Sequence, residues 1–341
     1  MNARRPTVVL LGQRLDPTLD RVIRGLHEIG TETFRFDLAD FPSALEVSVA
    51  IHDDDNGDLD GTFAIDSRVV AVRDVASVFY WKPRPLGFER DHPALRFVEA
   101  EARAGLGGIL RALHVPWVND PDASTRLSHK VLQLRLARQL GFRIPETLIT
   151  NSPDEARLFL KRHDRNGVIY KTVSVPMHAV GDDDYVSIFT SAVPSDSFEQ
   201  LGLVRNTLCM FQERVARSAD IRVTVVGDSV FACALTSGSA STDSFVDIRE
   251  LYGQLCYEPS ALPPSVEERL RTMLRDNGLL YGAFDLLLTP DGEYVFLELN
   301  PSGLFSWIEY ETKQPITAAL CAILADPPLR SRSRWEVTAR A

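Results

Sequence analysis

The sequence predicts a mixed α/β (α+β) chain of more than one domain, and three observations carry that reading. Its first residues spell a strand, an amphipathic helix and a second strand in close succession, the start of an α/β domain. Its middle and last thirds run as a continuous α+β pattern, with short apolar runs between helical stretches. At 341 residues it exceeds one small core, so two or three domains or subdomains are expected. A hydrophobic content of 45% beside 25% charged residues is ordinary for a globular protein in water. The net charge of −10 argues against a nucleic-acid binder with a broad basic face, though not against a local basic pocket for phosphates.

Residues 7–12 read as a buried strand. Residues 17–30 read as a helix with Leu19, Val22, Ile23, Leu26 and Ile29 on one face, stopped by Gly30, and residues 33–38 as the next strand. No GxGxxG or P-loop accompanies this start, so no dinucleotide site is expected there. Residues 45–51 and 61–65 alternate around the acidic turn 53–58, a hairpin with a solvated tip. That turn lacks flanking helices and an acidic twelfth ligand, since Ala64 stands there, so calcium is not expected. Residues 69–81 hold two short strands. Tyr80-Trp81-Lys82-Pro83-Arg84-Pro85 follows as a rigid, aromatic and basic loop, either a structural corner or a contact for a ligand or partner. A long helix (92–114) and a short strand (116–119) come next.

Residues 124–141 read as a helix with Ser128 as its N-cap and Gly141 as its stop. Lys130 would lie in its first turn, where a cation opposes the helix dipole. An anion bound at that N-terminus would account for it, and a solvated lysine is the alternative. A strand (144–150) and a helix (154–163) lead to a strand at 168–173 with Lys171 inside an apolar run. A buried lysine is costly or loses its proton, and a bound phosphate would hold it charged. Residues 175–184 read as a mobile loop. Residues 210–215, MFQERV, are a short strand running into a loop. Residues 219–226 form a strand with Asp220 and Arg222 on one face, paired with 229–235 across Gly227-Asp228. A Ser/Thr/Gly-rich loop (236–243) precedes a short strand, 246–249, whose Asp247 and Arg249 share a face. Substrate contact and a cross-strand ion pair are the two readings of that couple.

A helix (263–278) leads into YGAFDLLLTPDGEYVFLELNPSG, residues 281–303, which reads as a β-hairpin turning at Pro290-Asp291-Gly292. Asp285 stands inside one apolar run, Glu298 inside the other, and Asn300 at its end. An unpaired charge in a half-buried strand is expensive, and a divalent cation would relieve it. Mg²⁺ takes hard oxygen ligands, usually one or two carboxylates with phosphate oxygens and water. Glu298 and Asn300 are two apart and face the same way, with Asp285 able to sit beside them. Ordinary polar alternation on a surface hairpin is the alternative. One amphipathic helix (308–325) and a frayed tail close the chain.

Cys209, Cys233, Cys256 and Cys321 form no CxxC pair, so reduced, packed thiols in a cytoplasmic protein are expected. The apolar part of MNARRPTVVLLG is too short for a signal segment, and no run reaches the roughly 18 apolar residues of a membrane helix.

Lys130, Lys171, the QExV run of Gln212-Glu213-Arg214-Val215, Arg222, and then Asp285, Glu298 and Asn300 form an ordered set that resembles the ATP-grasp fold over roughly residues 119–325, about two thirds of the chain. The resemblance implies ATP held between two α+β subdomains. Lys130 and Lys171 would bind phosphates, and Gln212, Glu213 and Val215 would border adenine and ribose. Arg222, with Asp220 two residues before it, would lie near the γ-phosphate. Asp285, Glu298 and Asn300 would hold Mg²⁺, in two ions bridged by Glu298. The implied division is an N-terminal pre-ATP-grasp α/β domain at 1–118, a lysine-bearing subdomain at 119–210, a metal-bearing subdomain at 211–328 and a tail at 329–341.

A narrower resemblance runs through HKVLQLRLARQLGFRIPETLITNSPDEARLF, DIRVTVVGD and FLELNPSGLFSWIE…TKQPITAAL, which look like the graspetide, or microviridin-type, branch of ribosomal peptide (RiPP) cyclases. It implies an ATP- and Mg²⁺-dependent ligase that phosphorylates Asp or Glu side chains of a precursor peptide carrying leader and core. A Ser/Thr hydroxyl or Lys amine of that peptide then closes an ω-ester or ω-amide ring. Asp247 and Arg249 would contact the peptide, Arg222 and Lys171 would act in catalysis, and a homodimer is in keeping with the family. Neither nucleic acid nor membrane is an expected partner. The chain departs from the branch at Asp247-Ile248-Arg249, where D-W-R is usual, and at Gly303-Leu304-Phe305, where a polar run is usual. A ligase joining a small-molecule or amino-acid carboxylate to an amine is the alternative, and a nucleotide-binding scaffold without turnover is a third reading.

Overall fold

The computed structural model describes residues 6–53, 59–174, 177–179, 185–194, 197–237 and 253–327. The chain divides into two units, one of Met1–Ser124, Gly278–Tyr281 and Pro315–Ala341, the other of Thr125–Asn277 and Gly282–Gln314.

In the first unit β1 (Thr7–Leu11) is a five-residue apolar strand buried along its whole length, as a central parallel strand must be. Asp16 starts α1 (Pro17–Glu28) by accepting from the Thr18 and Leu19 N–H groups at 2.8 and 3.1 Å. Leu19, Val22 and Leu26 of α1 are buried, but Ile29 is its exposed C-cap, because the helix ends before that residue's turn comes round and Gly30 reverses the chain at φ +77°. β2 (Glu32–Phe36) pairs in parallel with β1 and completes the expected β-α-β start. β3 (Leu45–Ile51), β4 (Leu59–Ile65) and β5 (Arg68–Ala71) make a separate antiparallel sheet. β6 (Val75–Tyr80) pairs with the other side of β1. The loop after it is a structural corner: Trp81 is buried and stacks on Phe79, and Arg84 donates its backbone N–H and Nε to the buried Asp37 carboxylate at 2.8 and 2.7 Å. After α2 (Leu95–Arg111), β7 (Trp117–Val118) extends the sheet to the order β2-β1-β6-β7.

The single helix expected over 124–141 is two, α3 (Pro121–Leu127) and α4 (Lys130–Gln139). Ser128 does not cap: its hydroxyl donates to the Thr125 carbonyl at 2.7 Å, the local bond that ends α3, and His129 takes the N-cap position without a side-chain cap bond. Lys130 is therefore the first residue of α4. β8 (Thr147–Thr150), α5 (Pro153–Arg162) and β9 (Val168–Lys171) follow. β10 (Met177–Ala179) and β11 (Tyr185–Ser187) pair antiparallel, so part of the stretch that reads as a loop is strand, and its remainder lies outside the described residues. β12 (Ser191–Val193) and β13 (Cys209–Glu213) complete a sheet in the order β12-β9-β13-β8. Its core joins Ala156, Phe159 and Leu160 of α5 to Val168 and Phe211.

The second sheet of this unit is built from β14 (Ala219–Val226), β15 (Ser229–Ser237), β16 (Leu255–Ser260), β17 (Tyr281–Leu288) and β18 (Tyr294–Asn300), in the order β16-β15-β14-β17-β18. α6 (Pro264–Arg275) lies between β16 and β17 in sequence and buries Val266, Leu270, Met273 and Leu274. The closing helix is also two, α7 (Ser306–Thr312) and α8 (Ile316–Ala325). Lys313 is left-handed at φ 59° and Pro315 has no N–H to continue a helix. α8 belongs to the first unit, where Ser77 Oγ donates to the Leu324 carbonyl at 2.7 Å. The strand expected to carry Asp247 and Arg249, the 54–58 turn and the tail from 328 lie outside the described residues. Among the described residues no helix is long and apolar enough to cross a membrane.

All four cysteines are free: Cys256 is exposed, the others are buried, and burial pushes the Cys233 thiol up to about 11. One thiol is therefore expected to react rapidly with Ellman's reagent in the folded protein and all four after unfolding in guanidinium. A second rapid thiol in the folded protein would contradict the burial of Cys209, Cys233 or Cys321.

Candidate active site

β17 and β18 pair in a register that sets Asp285 opposite Glu298 and Ala283 opposite Asn300, with a bulge immediately after Asp285. Directly opposed residues share a face, so the two carboxylates and the Asn300 amide meet on one side of the hairpin. Asn300 Nδ2 donates to Asp285 Oδ2 at 3.3 Å and to Glu298 Oε1 at 3.2 Å. From the neighbouring strand β14, Arg222 Nη1 donates to Asp285 Oδ1 at 2.8 Å. From α4, Lys130 Nζ lies 3.5 Å from Glu298 Oε2 and donates to the Thr172 carbonyl at 2.8 Å. Lys171, one residue before Thr172, supplies positive charge to both carboxylates. Six residues singled out in the sequence, Lys130, Lys171, Arg222, Asp285, Glu298 and Asn300, thus meet in one place.

Their electrostatics are uneven. Burial pushes the Asp285 carboxyl up, against Arg222, and the charge of Glu298 pushes the same way. Burial acts likewise on Glu298, but Lys171, Lys130, the Asn300 amide and Arg222 overcome it and hold that carboxyl at about 2. Two carboxylates face each other, one ionised firmly and one reluctantly, an arrangement a divalent cation would relieve. The donors are hard oxygens, and Mg²⁺ takes one or two protein carboxylates with phosphate oxygens and water. Among the described residues no group of three His, Cys, Asp or Glu side chains converges, and the oxygen donors that meet here are two carboxylates and an amide.

The side chain of Arg222 is held on several sides. Its Nη2 donates to the Leu304 carbonyl at 3.1 Å, an oxygen that also accepts from Trp307 Nε1 at 3.1 Å. Its guanidinium lies 6.0 Å from the Trp307 ring centre, and Tyr257 meets that ring edge-on at 5.8 Å. A Cβ placed on Gly303 would come within 2.5 Å of Ala283 Cβ and 2.8 Å of Arg222 Nη2. Gly303→Ala is therefore expected to destabilise the protein by about 1–3 kcal/mol through overpacking and to lower turnover by displacing the guanidinium. A melting curve together with a rate measurement checks it, and an unchanged pair would show that the strand yields freely.

The remaining expected residues have other partners. Asp220 makes an ion pair with Arg217 Nε at 2.8 Å. Gln212 is buried and donates Nε2 to Thr147 Oγ1 at 2.9 Å, while its Oε1 has no hydrogen-bond partner among the described residues. Glu213 Oε1 accepts from the Glu146 N–H at 3.2 Å, and Val215 is buried against Leu287 and Val295. A cavity of about 490 Å³ is lined by Glu213, Arg214, Val215 and Thr289, and one of about 700 Å³ by Val131, Leu134, Ile144, Thr147 and Glu213. Gln133 and Trp307 carry no functional expectation in the sequence, yet they stand beside the six. The one signal for Gln133 was an amide between the apolar Leu132 and Leu134.

No family model matches the chain, and no curated protein matches it. Solved structures do. The macrocyclase MdnC bound with precursor peptide MdnA, from Microcystis aeruginosa MRC, is 27% identical, with 94% of this chain and 100% of that one covered at a TM-score of 0.82. A Chryseobacterium gregarium RiPP-associated ATP-grasp ligase, in complex with ADP and a leader and core peptide, is 26% identical over 94% and 97% of the two chains, with a TM-score of 0.83. The macrocyclase MdnB from Microcystis aeruginosa MRC is 28% identical over 94% and 99%, with a TM-score of 0.74. The agreement runs through nearly the whole of these ligases and of this chain; the chain has the ATP-grasp fold and is similar to ATP-grasp ligases and macrocyclases that act on ribosomal precursor peptides.

Proposed function

We propose that the protein is an ATP- and Mg²⁺-dependent ligase that activates Asp or Glu side chains of a ribosomal precursor peptide and closes ω-ester or ω-amide rings within it. The observation that carries the reading is the meeting of Lys130, Lys171 and Arg222 with Asp285, Glu298 and Asn300 in this fold. Phosphoryl transfer needs positioning and charge stabilisation more than covalent help from the protein, and this set provides both.

In the first step an oxygen of the substrate carboxylate attacks the γ-phosphorus of ATP, the bond to the bridging oxygen breaks, and ADP leaves an acyl phosphate behind. Lys130 and Lys171 hold phosphate oxygens, and Arg222 faces the charge that builds on the transferring group. Asp285, Glu298 and Asn300 would hold Mg²⁺, two ions in this proposal, which when bound would neutralise phosphate charge. In the second step a hydroxyl or amine of the same peptide attacks the acyl carbon and expels phosphate, so each ring removes one water from the peptide. Glu213 and Val215 line cavities, and with Gln212 they are assigned to the adenosine side of the site, while Asp220 is assigned with Arg222 to the phosphate side. Asp247 and Arg249 are assigned to peptide contact. The separate sheets carrying Lys171 and the carboxylates favour a lysine-bearing and a metal-bearing subdomain. Free thiols and ATP consumption favour the cytoplasm, and a homodimer in solution belongs to the same proposal.

Incubation of the purified protein with ATP, Mg²⁺ and a Ser/Thr- and Asp/Glu-rich precursor peptide encoded beside it tests the reading. Loss of one water mass per ring supports it. ADP formation with no peptide change would instead favour a small-molecule acceptor.

A further inference from the structure

Gln133 lies one turn after Lys130 on α4, at the i+3 position that shares its face. It is buried, and every polar atom of its amide is engaged. Oε1 accepts from the Leu299 N–H at 2.9 Å, and Nε2 donates to the Leu299 carbonyl at 2.7 Å and to the Leu127 carbonyl at 2.5 Å. β18 is the last strand of its sheet, so Leu299 would otherwise present an unpaired N–H and C=O along that edge. The Gln133 side chain takes the place of a neighbouring strand there. Leu299 lies between Glu298 and Asn300, the two metal-ligand candidates on β18. The same amide reaches back to the last residue of α3, across the turn that precedes Lys130. His129, the N-cap of α4, makes no side-chain cap bond.

We propose that Gln133 is a positioning residue: its side-chain amide clamps the start of α4 to β18 and thereby sets Lys130 against Glu298. The inference rests on the ligase reading of the site. Gln133 touches neither phosphate nor peptide in this role; it fixes the spacing of a cation and an anion that must both meet the nucleotide. A leucine of similar volume keeps the packing and removes the clamp. Support of this kind around a bound metal typically governs affinity or activity by 10–100-fold.

The test is Mg²⁺-dependent binding of a fluorescent ADP analogue, which needs no peptide, alongside ATP turnover. Gln133→Leu is expected to weaken that binding and slow turnover by roughly 10–100-fold. In a Lys130→Met background the same change is expected to do little more, because the residue acts through Lys130. Gln133→Glu keeps the acceptor for the Leu299 N–H and loses both donations, and it carries the same cycle if the leucine variant fails to fold. Losses that multiply equally in both backgrounds would mean a purely structural clamp and overturn the proposal. Wild-type binding with no effect of either substitution overturns it alone, whereas a wild-type protein that binds no Mg²⁺–nucleotide overturns the ligase reading and this inference together.

Discussion

Glu298→Gln is expected to abolish ring formation, with turnover reduced by at least about 10³-fold, or about 4 kcal/mol of transition-state stabilisation. Glu298 is the carboxylate held at about 2 by Lys171, Lys130, Asn300 and Arg222, so it carries full charge throughout the working range. A cation placed between it and Asp285 would draw more from this ligand than from its partner. Glutamine keeps the volume and one carbonyl oxygen that can still accept from Asn300 Nδ2, so the hairpin is expected to form. It removes the charge that a divalent cation requires and leaves the lysines at positions 130 and 171 with one anion fewer. Intact mass of the precursor peptide reads the loss, and a melting curve close to wild type separates it from misfolding. Cyclisation at near wild-type rate would remove Glu298 from the metal set and leave only Asp285 and Asn300 to hold it.

The hairpin that carries this prediction was readable because it breaks a local rule. Charges inside apolar strand runs ask for a partner, and the Pro-Asp-Gly turn set the two runs antiparallel. The β14–β15 hairpin was readable for the same local reason, a two-residue Gly-Asp turn between alternating runs. What lay beyond local reading was adjacency. Nothing between residues 222 and 285 says that β14 lies beside β17, and without that neighbour Arg222 is one basic residue among many. The family resemblance supplied that link. The resemblance did not find Gln133, whose amide stands in for a strand in a way no periodicity records.

Helix boundaries went astray for a related reason. Apolar residues recur at both ends of 124–141 and 308–325, so each stretch reads as one helix. A serine that bonds back to residue 125, and a left-handed lysine ahead of Pro315, break the helices without disturbing the pattern. The first break matters for function, because it makes Lys130 the opening residue of α4 and brings its side chain to Glu298 and the Thr172 carbonyl.

Arg222→Met is expected to slow turnover by about 10²–10³-fold and to make the remaining activity fall off at a higher pH than in the wild type. The first effect follows from losing the cation that the proposed function sets against the transferring phosphoryl group. The second follows from Asp285. Burial and the charge of Glu298 already push that carboxyl upward, and Arg222 is foremost among the groups that oppose them. Without the guanidinium the carboxyl rises further and takes up a proton at a higher pH. A protonated carboxyl is a poor metal ligand, so the Mg²⁺ concentration needed for half-maximal activity should climb as pH falls and recover as pH rises. Arg222→Lys restores a charge but not the planar pair of donors that reaches Asp285 and the Leu304 carbonyl together, and it should recover the pH profile more than the rate. ADP release measured across pH at several Mg²⁺ concentrations distinguishes the two effects. A methionine variant that loses rate with no change in Mg²⁺ requirement at any pH would leave Arg222 its role at the phosphate and take from it the role of keeping Asp285 ionised.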